Sequence, residues 1–310
     1  MAEIRFDPIN RHTVVIAPER SKRPKDEFRE RTAYSKKCPF CPGNEDQTPP
    51  ENFNNGDNVK NWTIRSFPNK YPAFTQLEEN DISGIQDIIV ESDKHDINMG
   101  DFPLNHLKEL LQVYKKRLES IKNNKTIKYI LIFKNHGVMA GATLEHPHTQ
   151  IVGLSFVPRQ VGKIMQKLKK HFDKEKKCYY CDLVKQSTVI FENSSFVLIS
   201  PKEARFSYET WIVPKKHQMH YEEITDDQLA DLSELISKQI KTLNSMLDNP
   251  AFNVVLNNGL YDQSDNSFFH WNMQVIPRIY YQAGFELGTG TFINQVEPES
   301  AVLELKQNAL

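Results

Sequence analysis

The residues best suited to chemistry form the run His146-Pro147-His148-Thr149-Gln150. In an extended strand, alternate side chains share a face. His146, His148 and Gln150 therefore point one way and Ile151 the other. A core strand would place apolar side chains on that face, so two imidazoles and an amide in a row suggest a ligand site. Just upstream, Asn135 to Thr143 is small, polar and glycine-containing. Its backbone N–H groups are of a kind that can approach an anion, although a plain surface loop has the same composition.

The cysteines point to a metal. All four fall in two C-x-x-C pairs, Cys38/Cys41 and Cys178/Cys181, too few for a disulfide scaffold. Cys38-Pro39-Phe40-Cys41 has the form of half a tetrahedral zinc site. A redox C-x-x-C usually opens a helix, whereas Pro42-Gly43-Asn44 follows here and breaks one. The missing ligands must be histidine or acidic. His12, His95, His106, His136, His146 and His148 are the histidines available in this half, and spacing alone does not choose among them.

The second half offers a parallel set: Cys178-Tyr179-Tyr180-Cys181, then His217 and His220, then His270-Trp271-Asn272-Met273-Gln274. The last segment echoes His146-x-His148-x-Gln150 with Asn272 in place of the second histidine. The cysteine pairs are offset by 140 residues, and His146 and His270 by 124, as an internal duplication with unequal loops would give. One half then carries the chemistry and the other is structural. An imidazole two positions beyond a zinc-bound histidine is a candidate nucleophile: it attacks phosphorus readily, and the resulting phosphoramidate can be attacked again. His148 is thus placed for nucleotidyl transfer by double displacement. Gln150 would hold a phosphoryl oxygen. Arg20 and Arg23 would neutralise a pyrophosphate, or else are solvated surface charges.

The elements that must position these residues are legible from periodicity. Leu104, Leu107, Leu110, Leu111, Tyr114, Leu118 and Ile121 recur at helical spacing after Pro103. Thr225-Asp226-Asp227-Gln228 is a capping box opening a second helix through Leu247. Strands are expected at 87–91, 127–134, 146–155, 188–191, 196–200, 210–213, 252–257 and 270–276, with a basic helix between the halves. Each half reads as strands, one long helix, then two strands. This is an α+β pattern with antiparallel sheet, and no P-loop or dinucleotide-binding glycine motif is present.

At 310 residues the chain is long enough for two domains, expected at 1–165 and 166–310. Its 39 basic and 40 acidic residues leave a net charge of -1, which offers no positive field for nucleic acid or a membrane surface. The longest apolar runs, such as Tyr129–Phe133, fall far short of the ~20 residues of a membrane span. The start, MAEIRFDP, lacks the layout of a signal peptide, so a cytoplasmic protein is expected.

The motifs resemble the galactose-1-phosphate uridylyltransferase family, a branch of the histidine triad superfamily, over nearly the whole chain. They are Arg5-x-Asp7-Pro8, Ile16-Ala17-Pro18-x-Arg20-x-x-Arg23-Pro24, Cys38-Pro39-Phe40-Cys41-Pro42-Gly43-Asn44, Pro68-Asn69-Lys70-Tyr71-Pro72-Ala73, Asn135, and His146-Pro147-His148-x-Gln150. In the second half they are Phe206-x-x-Glu209-Thr210-Trp211, His270-Trp271 and Gly284-Phe285-Glu286-x-Gly288-Thr289-Gly290. The resemblance implies two tandem histidine-triad-like domains, each an antiparallel sheet with a long helix, and a nucleotidylated His148. It implies structural zinc on Cys38, Cys41, His95 and His146. It places Arg20, Arg23, Asn69, Asn135, Thr143, Gln150, Phe285, Glu286, Gly288, Thr289 and Gly290 near nucleotide or phosphates. It also implies a homodimer whose site the neighbouring subunit completes.

The second half departs from the best-known uridylyltransferases, which carry His-x-His where this chain has His270-x-Asn272. Its Cys178 and Cys181, with His217 and His270, instead look like the second zinc site of the ADP-glucose phosphorylase branch. At the sugar-contacting places Tyr280, Phe285 and Phe292 stand where uridylyltransferases have Lys, Tyr and Gln. Two zinc ions per chain are expected. The leading expectation is transfer from UDP-glucose to a hexose 1-phosphate. The alternatives are AMP transfer from ADP-glucose to phosphate, AMP transfer involving sulfate, and a nucleotide-binding or hydrolysing histidine triad protein. A silent zinc-stabilised scaffold is disfavoured by the intact His148 and Gln150.

Overall fold

The computed structural model describes residues 38–57, 60–75, 83–261, 267–290 and 292–309, with the backbone of strands β1 (Glu3–Phe6) and β2 (Thr13–Ile16). Arg20 and Arg23 lie outside the described residues, as does the side chain of Phe285.

The first half contributes β3 (Phe53–Asn54), β4 (Arg65–Pro68), β5 (Gly84–Val90), helix α1 (Leu104–Lys122), β6 (Tyr129–His136) and β7 (His148–Leu154). Helices α2 (Arg159–Glu175) and α3 (Tyr179–Gln186) lead into the second half. There follow β8 (Val189–Glu192), β9 (Phe196–Ile199), β10 (Thr210–Pro214), α4 (Asp226–Leu247), β11 (Phe252–Asn257) and β12 (Asn272–Pro277). Two short helices close the chain, α5 (Gly284–Thr289) and α6 (Pro298–Gln307).

Ten strands form one sheet in the order β3-β4-β5-β7-β6-β11-β12-β10-β9-β8, each pair antiparallel. The order is the same from either end, which is the internal duplication expressed as topology. The halves meet where β6 pairs with β11, Lys134 opposite Val254. The expected α+β class and repeat are what the fold shows, with the two five-stranded sheets fused edge to edge. The expected boundary at 165/166 falls inside α2.

Both long helices form because their apolar residues recur every three to four positions. Leu107, Leu110, Leu111, Tyr114, Leu118 and Ile121 of α1 are buried, as are Leu229, Leu232, Leu235, Ile236, Ile240 and Leu243 of α4. Thr225 caps α4 in a capping box with Gln228, and α1 and α4 pack together against one face of the sheet. Strand alternation then decides what β7 shows to each side. Thr149, Ile151 and Gly153 face α1, so closely that a Cβ on Gly153 would lie 2.6 Å from Ile121 Cγ2. His148 and Gln150 face the opposite side.

Behind His148 the α1 side holds a buried polar cluster. Lys134 Nζ reaches Glu91 Oε2 at 2.7 Å, with exposures of 2% and 0%. Thr149 and Tyr114 hydroxyls donate to Glu91 Oε1. Burial and the Glu91 charge push the Tyr114 phenol well above its usual range. Removing one member of such a pair strands the other charge. Glu91→Ala is expected to cost about 3–5 kcal/mol, read as a fall in the urea midpoint. A change under about 1 kcal/mol would show that Lys134 is solvated some other way.

Candidate functional site

Cys38 and Cys41 sit in a turn closed by the Cys41 N–H on the Cys38 carbonyl at 3.3 Å, and Gly43 leaves it with φ +90°. The turn is held from below by Arg65, fully buried, which donates to the Pro39 carbonyl, Thr48 Oγ1 and Glu51, and lies against the rings of Trp62 and Phe67. This small core brings the two thiols under the segments carrying His95 and His146. Cys41 Sγ lies 3.3 Å from His95 Nδ1 and 3.5 Å from His146 Nδ1. The second half repeats this with Cys178, Cys181, His217 and His270, where Cys181 Sγ lies 3.6 Å from His217 Nδ1 and 3.5 Å from His270 Nδ1. Within each cluster every ligand atom is within 4.8 Å of the others. A tetrahedral ion with Zn–S about 2.3 Å and Zn–N about 2.0–2.1 Å sets its ligands about 3.5 Å apart, so both donor sets fit such an ion.

Among the described histidines the sequence left open, His95, His146, His217 and His270 are the ones brought together, and His12 lies outside the described residues. His106 instead bonds the Glu91 carbonyl, His136 stacks on Phe252, and His220 stacks on Tyr261. Its hydrogen bond with Cys41, and then burial, hold the Cys38 thiol well above the ordinary range. In the second pair the hydrogen bond with Cys181 lowers the Cys178 thiol, with His217 and His270 adding to it. A cation that takes both sulfurs as thiolates displaces their protons, so its affinity falls as the pH drops.

Hydrogen bonds to carbonyls, which only accept, fix both ring tautomers of the His146-x-His148 run. His146 Nε2 is 2.8 Å from the Ser92 carbonyl, so Nε2 carries the proton and Nδ1 presents its lone pair to the cluster. His148 Nδ1 is 2.8 Å from the His146 carbonyl, so Nδ1 carries the proton and Nε2 keeps the lone pair. His146 therefore holds a cluster with its ring and aims His148 with its backbone.

His148 lines a cavity of about 320 Å³ with Phe40, Phe67, Ile88, Leu144, Asn69, Tyr71 and Thr143 among its walls. This is the size and mixed character of a small-molecule site. Phe40, between the two cysteines, packs edge-on against His148 with ring centroids 5.2 Å apart. Asn69 Oδ1 accepts from the Tyr71 N–H, while its buried Nδ2 has no protein partner among the described residues, a donor left over for a ligand. Gln150 is held by Gln86 Nε2 on its Oε1 at 2.9 Å, and Gln86 is itself fixed by the Ala73 N–H. The donor end of the Gln150 amide is thus the one left to offer.

Asn69, Thr143 and His148 meet at this cavity. Asn135 lies one residue beyond the Lys134–Thr149 pair of β6 and β7, where its Oδ1 accepts from Asn253. The glycine-rich segment is elsewhere. Gly288, Thr289 and Gly290 are absent from the cavity wall, and Glu286 lines a different cleft with Arg205, Tyr280 and Phe292. Sequence reasoning missed Phe40, Gln86 and Glu91 as supports of the site. Only Gln86 left a signal, as an amide within an otherwise largely apolar strand.

The second half shows what became of the duplicate. Asn272 takes the place of His148 and repeats its hydrogen bond, Nδ2 to the His270 carbonyl at 3.4 Å. Tyr180, packed on Trp211 and Phe269, stands where Phe40 stands in the first half.

Two family models match the chain, both described only as domains of unknown function: DUF4931, N-terminal domain, over residues 20–157, and DUF4921 over residues 91–308. The ADP-glucose phosphorylase of Arabidopsis thaliana is 32% identical, with 99% of this chain and 93% of that protein aligned. The crystal structure of the Arabidopsis enzyme with bound ADP-glucose superposes with a TM-score of 0.84 over the full length of both chains. The galactose-1-phosphate uridylyltransferase of Thermotoga maritima is 23% identical over 99% of this chain and 98% of its own. The chain belongs to the galactose-1-phosphate uridylyltransferase family. A solved uridylyltransferase structure at 24% identity has the same fold, with a TM-score of 0.83 over 99% of this chain and 98% of that one. Among the described residues, no helix is long and apolar enough to cross a membrane.

Proposed function

We propose that this family member is a nucleotidyltransferase that carries a nucleotide on His148, with ADP-glucose as donor and inorganic phosphate as acceptor. The observation that carries the reading is the His148 ring. Its Nδ1 proton is committed to the His146 carbonyl, and the ring lines the cavity with its lone pair on Nε2. Nε2 attacks the α-phosphorus, the N–P bond forms, and the bond to the bridging oxygen breaks to release glucose 1-phosphate. A phosphate oxygen then attacks the same phosphorus, the N–P bond breaks, and ADP leaves. Gln150 and Asn69 amide donors meet the charge that builds on the phosphoryl oxygens.

Zinc is the ion proposed for both clusters, on the strength of the two-sulfur, two-nitrogen donor sets and their spacing. Its contribution is to fix ligand geometry, and the chemistry is left to His148. Two observations favour adenylyl over uridylyl transfer: the 32% identity to the Arabidopsis phosphorylase along 93% of its length, and the second cluster with Asn272. The uridylyl reading, with a hexose 1-phosphate as acceptor, is supported by the full-length Thermotoga relative. The proposed assembly is a homodimer of two-domain chains divided at 165/166. Tyr281, Leu287 and Ile293 are exposed around the Glu286 cleft, and a partner subunit would bring that segment to the His148 cavity.

The test is a donor and acceptor matrix. Phosphate-dependent formation of ADP and glucose 1-phosphate from ADP-glucose is expected, with UDP-glucose and galactose 1-phosphate slower by at least ~100-fold. The reverse preference would return the assignment to hexose-1-phosphate uridylyl transfer.

A further inference from the structure

The two Cys2His2 clusters are built differently. Cys38 and Cys41 lie in a non-helical turn, sealed by Phe40, Trp62 and Phe67, and every ligand of that cluster is buried. Cys178 is instead the N-cap of α3 and Cys181 its third residue. That is a C-x-x-C opening a helix, the placement seen in thiol–disulfide chemistry. Cys181 is half-buried and His217 is exposed.

Support around the histidines differs too. His146 Nε2 is 2.8 Å from the Ser92 carbonyl, and His95 Nε2 is 3.7 Å from Glu145 Oε2. The buried His270 Nε2 has no protein partner among the described residues. Partners on the far ring nitrogen orient a ligating imidazole and raise its basicity, and their loss typically costs 10–100-fold in metal affinity. Lys176 and Lys177 precede Cys178, Asp182 and Lys185 follow Cys181, and the partial exposure of Cys181 gives a peroxide the access that the buried first pair lacks.

We propose that Cys178 and Cys181 form a reversible redox pair, oxidised by peroxides to a disulfide with release of the second cluster's ion, while the first cluster keeps its own. The half-buried Cys181, its proton passed to solvent, attacks one peroxide oxygen as thiolate, the O–O bond breaks, and a sulfenic acid and hydroxide form. The Cys178 thiolate then attacks that sulfur, the S–O bond breaks, and a second hydroxide leaves. Two protons from solvent convert both hydroxides to water. The thiols lose two electrons and the peroxide gains them. The ion has then lost two of its four ligands and departs. A dithiol reductant reverses the step. The release of an ion rests on reading the second cluster as a metal site; formation of the disulfide does not.

The experiment uses the reduced full chain with its metal content measured beforehand. It is exposed to a few equivalents of hydrogen peroxide beside a chromogenic chelator. Free thiols are then alkylated and the peptides mapped by mass. The expected result is one equivalent of metal released per chain, a Cys178–Cys181 disulfide, and alkylated Cys38 and Cys41. The second pair should be lost at least about tenfold faster than the first, and dithiothreitol should restore it. Equal loss of both pairs, earlier loss of Cys38 and Cys41, or oxidation of Cys178 and Cys181 without a disulfide would overturn the proposal. If the reduced protein holds a single metal equivalent, the second-metal reading fails, and the order of disulfide formation still decides this one.

Discussion

His148→Ala is expected to abolish nucleotide transfer, by ~10⁴-fold or more, while the chain keeps its fold and its metal. The expectation follows from the division of labour between two histidines. His146 commits its Nδ1 to the cluster, and the Nδ1 of His148 donates to a backbone carbonyl. Truncating His148 removes the lone pair that meets phosphorus and leaves the four-ligand set untouched. Gln150→Ala should be milder, about 10–100-fold in transfer, since it removes one donor and leaves the nucleophile. Metal analysis and far-UV circular dichroism should match the parent for both variants. Loss of a metal equivalent in His148→Ala would put His148 among the ligands and remove it as nucleophile.

The second large effect is expected from His146→Ala compared with His270→Ala. Both remove a ligand, and metal binding in such sites is coupled to folding free energy. Each should lose one metal equivalent and several kcal/mol of stability. The melting temperature should fall by roughly 2 °C for each kcal/mol lost. The two variants should part in activity. Alanine at 146 keeps the carbonyl that holds His148 but frees the strand entry from its anchor, so the imidazole loses its aim. Misplacement of a reacting group by about 1 Å costs on the order of 100-fold, and the turn carrying Phe40 loosens as well. His270→Ala should keep transfer within about tenfold of the parent, because Asn272 and Tyr180 leave nothing catalytic for that cluster to position. Equal loss of transfer in both variants would mean that the second cluster supports the catalytic half through the sheet.

Much of this was legible in the residues because it rests on local rules. The α1 and α4 faces follow from leucine periodicity, and the cap at Thr225 and Gln228 is where a Thr-x-x-Gln box predicts it. The alternation of His148 and Gln150 is a property of any strand. Pairing across distance was less legible. Which histidines join Cys38 and Cys41 depends on the loop after β5 folding back over the entry to β7, and nothing in the sequence near His95 encodes that meeting. The fusion of two five-stranded sheets through β6 and β11 depends on two strand edges finding each other. β3 and β4 span two and four residues, too short to leave a period. The helix opening at Cys178 was missed for a related reason: α3 is eight residues long, and no capping side chain marks its start. The Glu91–Lys134 pair was hidden because charged residues within strands ordinarily signal solvent. Here each hides the other from the core.

The central claim is a covalent nucleotidyl group on His148, and intact-protein mass spectrometry at neutral pH tests it most directly. After incubation with ADP-glucose, the wild-type chain should gain the mass of one adenylyl group. The adduct should map to the peptide containing His148 and vanish when inorganic phosphate is added, with ADP appearing in equal amount. Protein that carries its full metal complement and turns over ADP-glucose without any adduct, or with the adduct on another residue, would contradict the account.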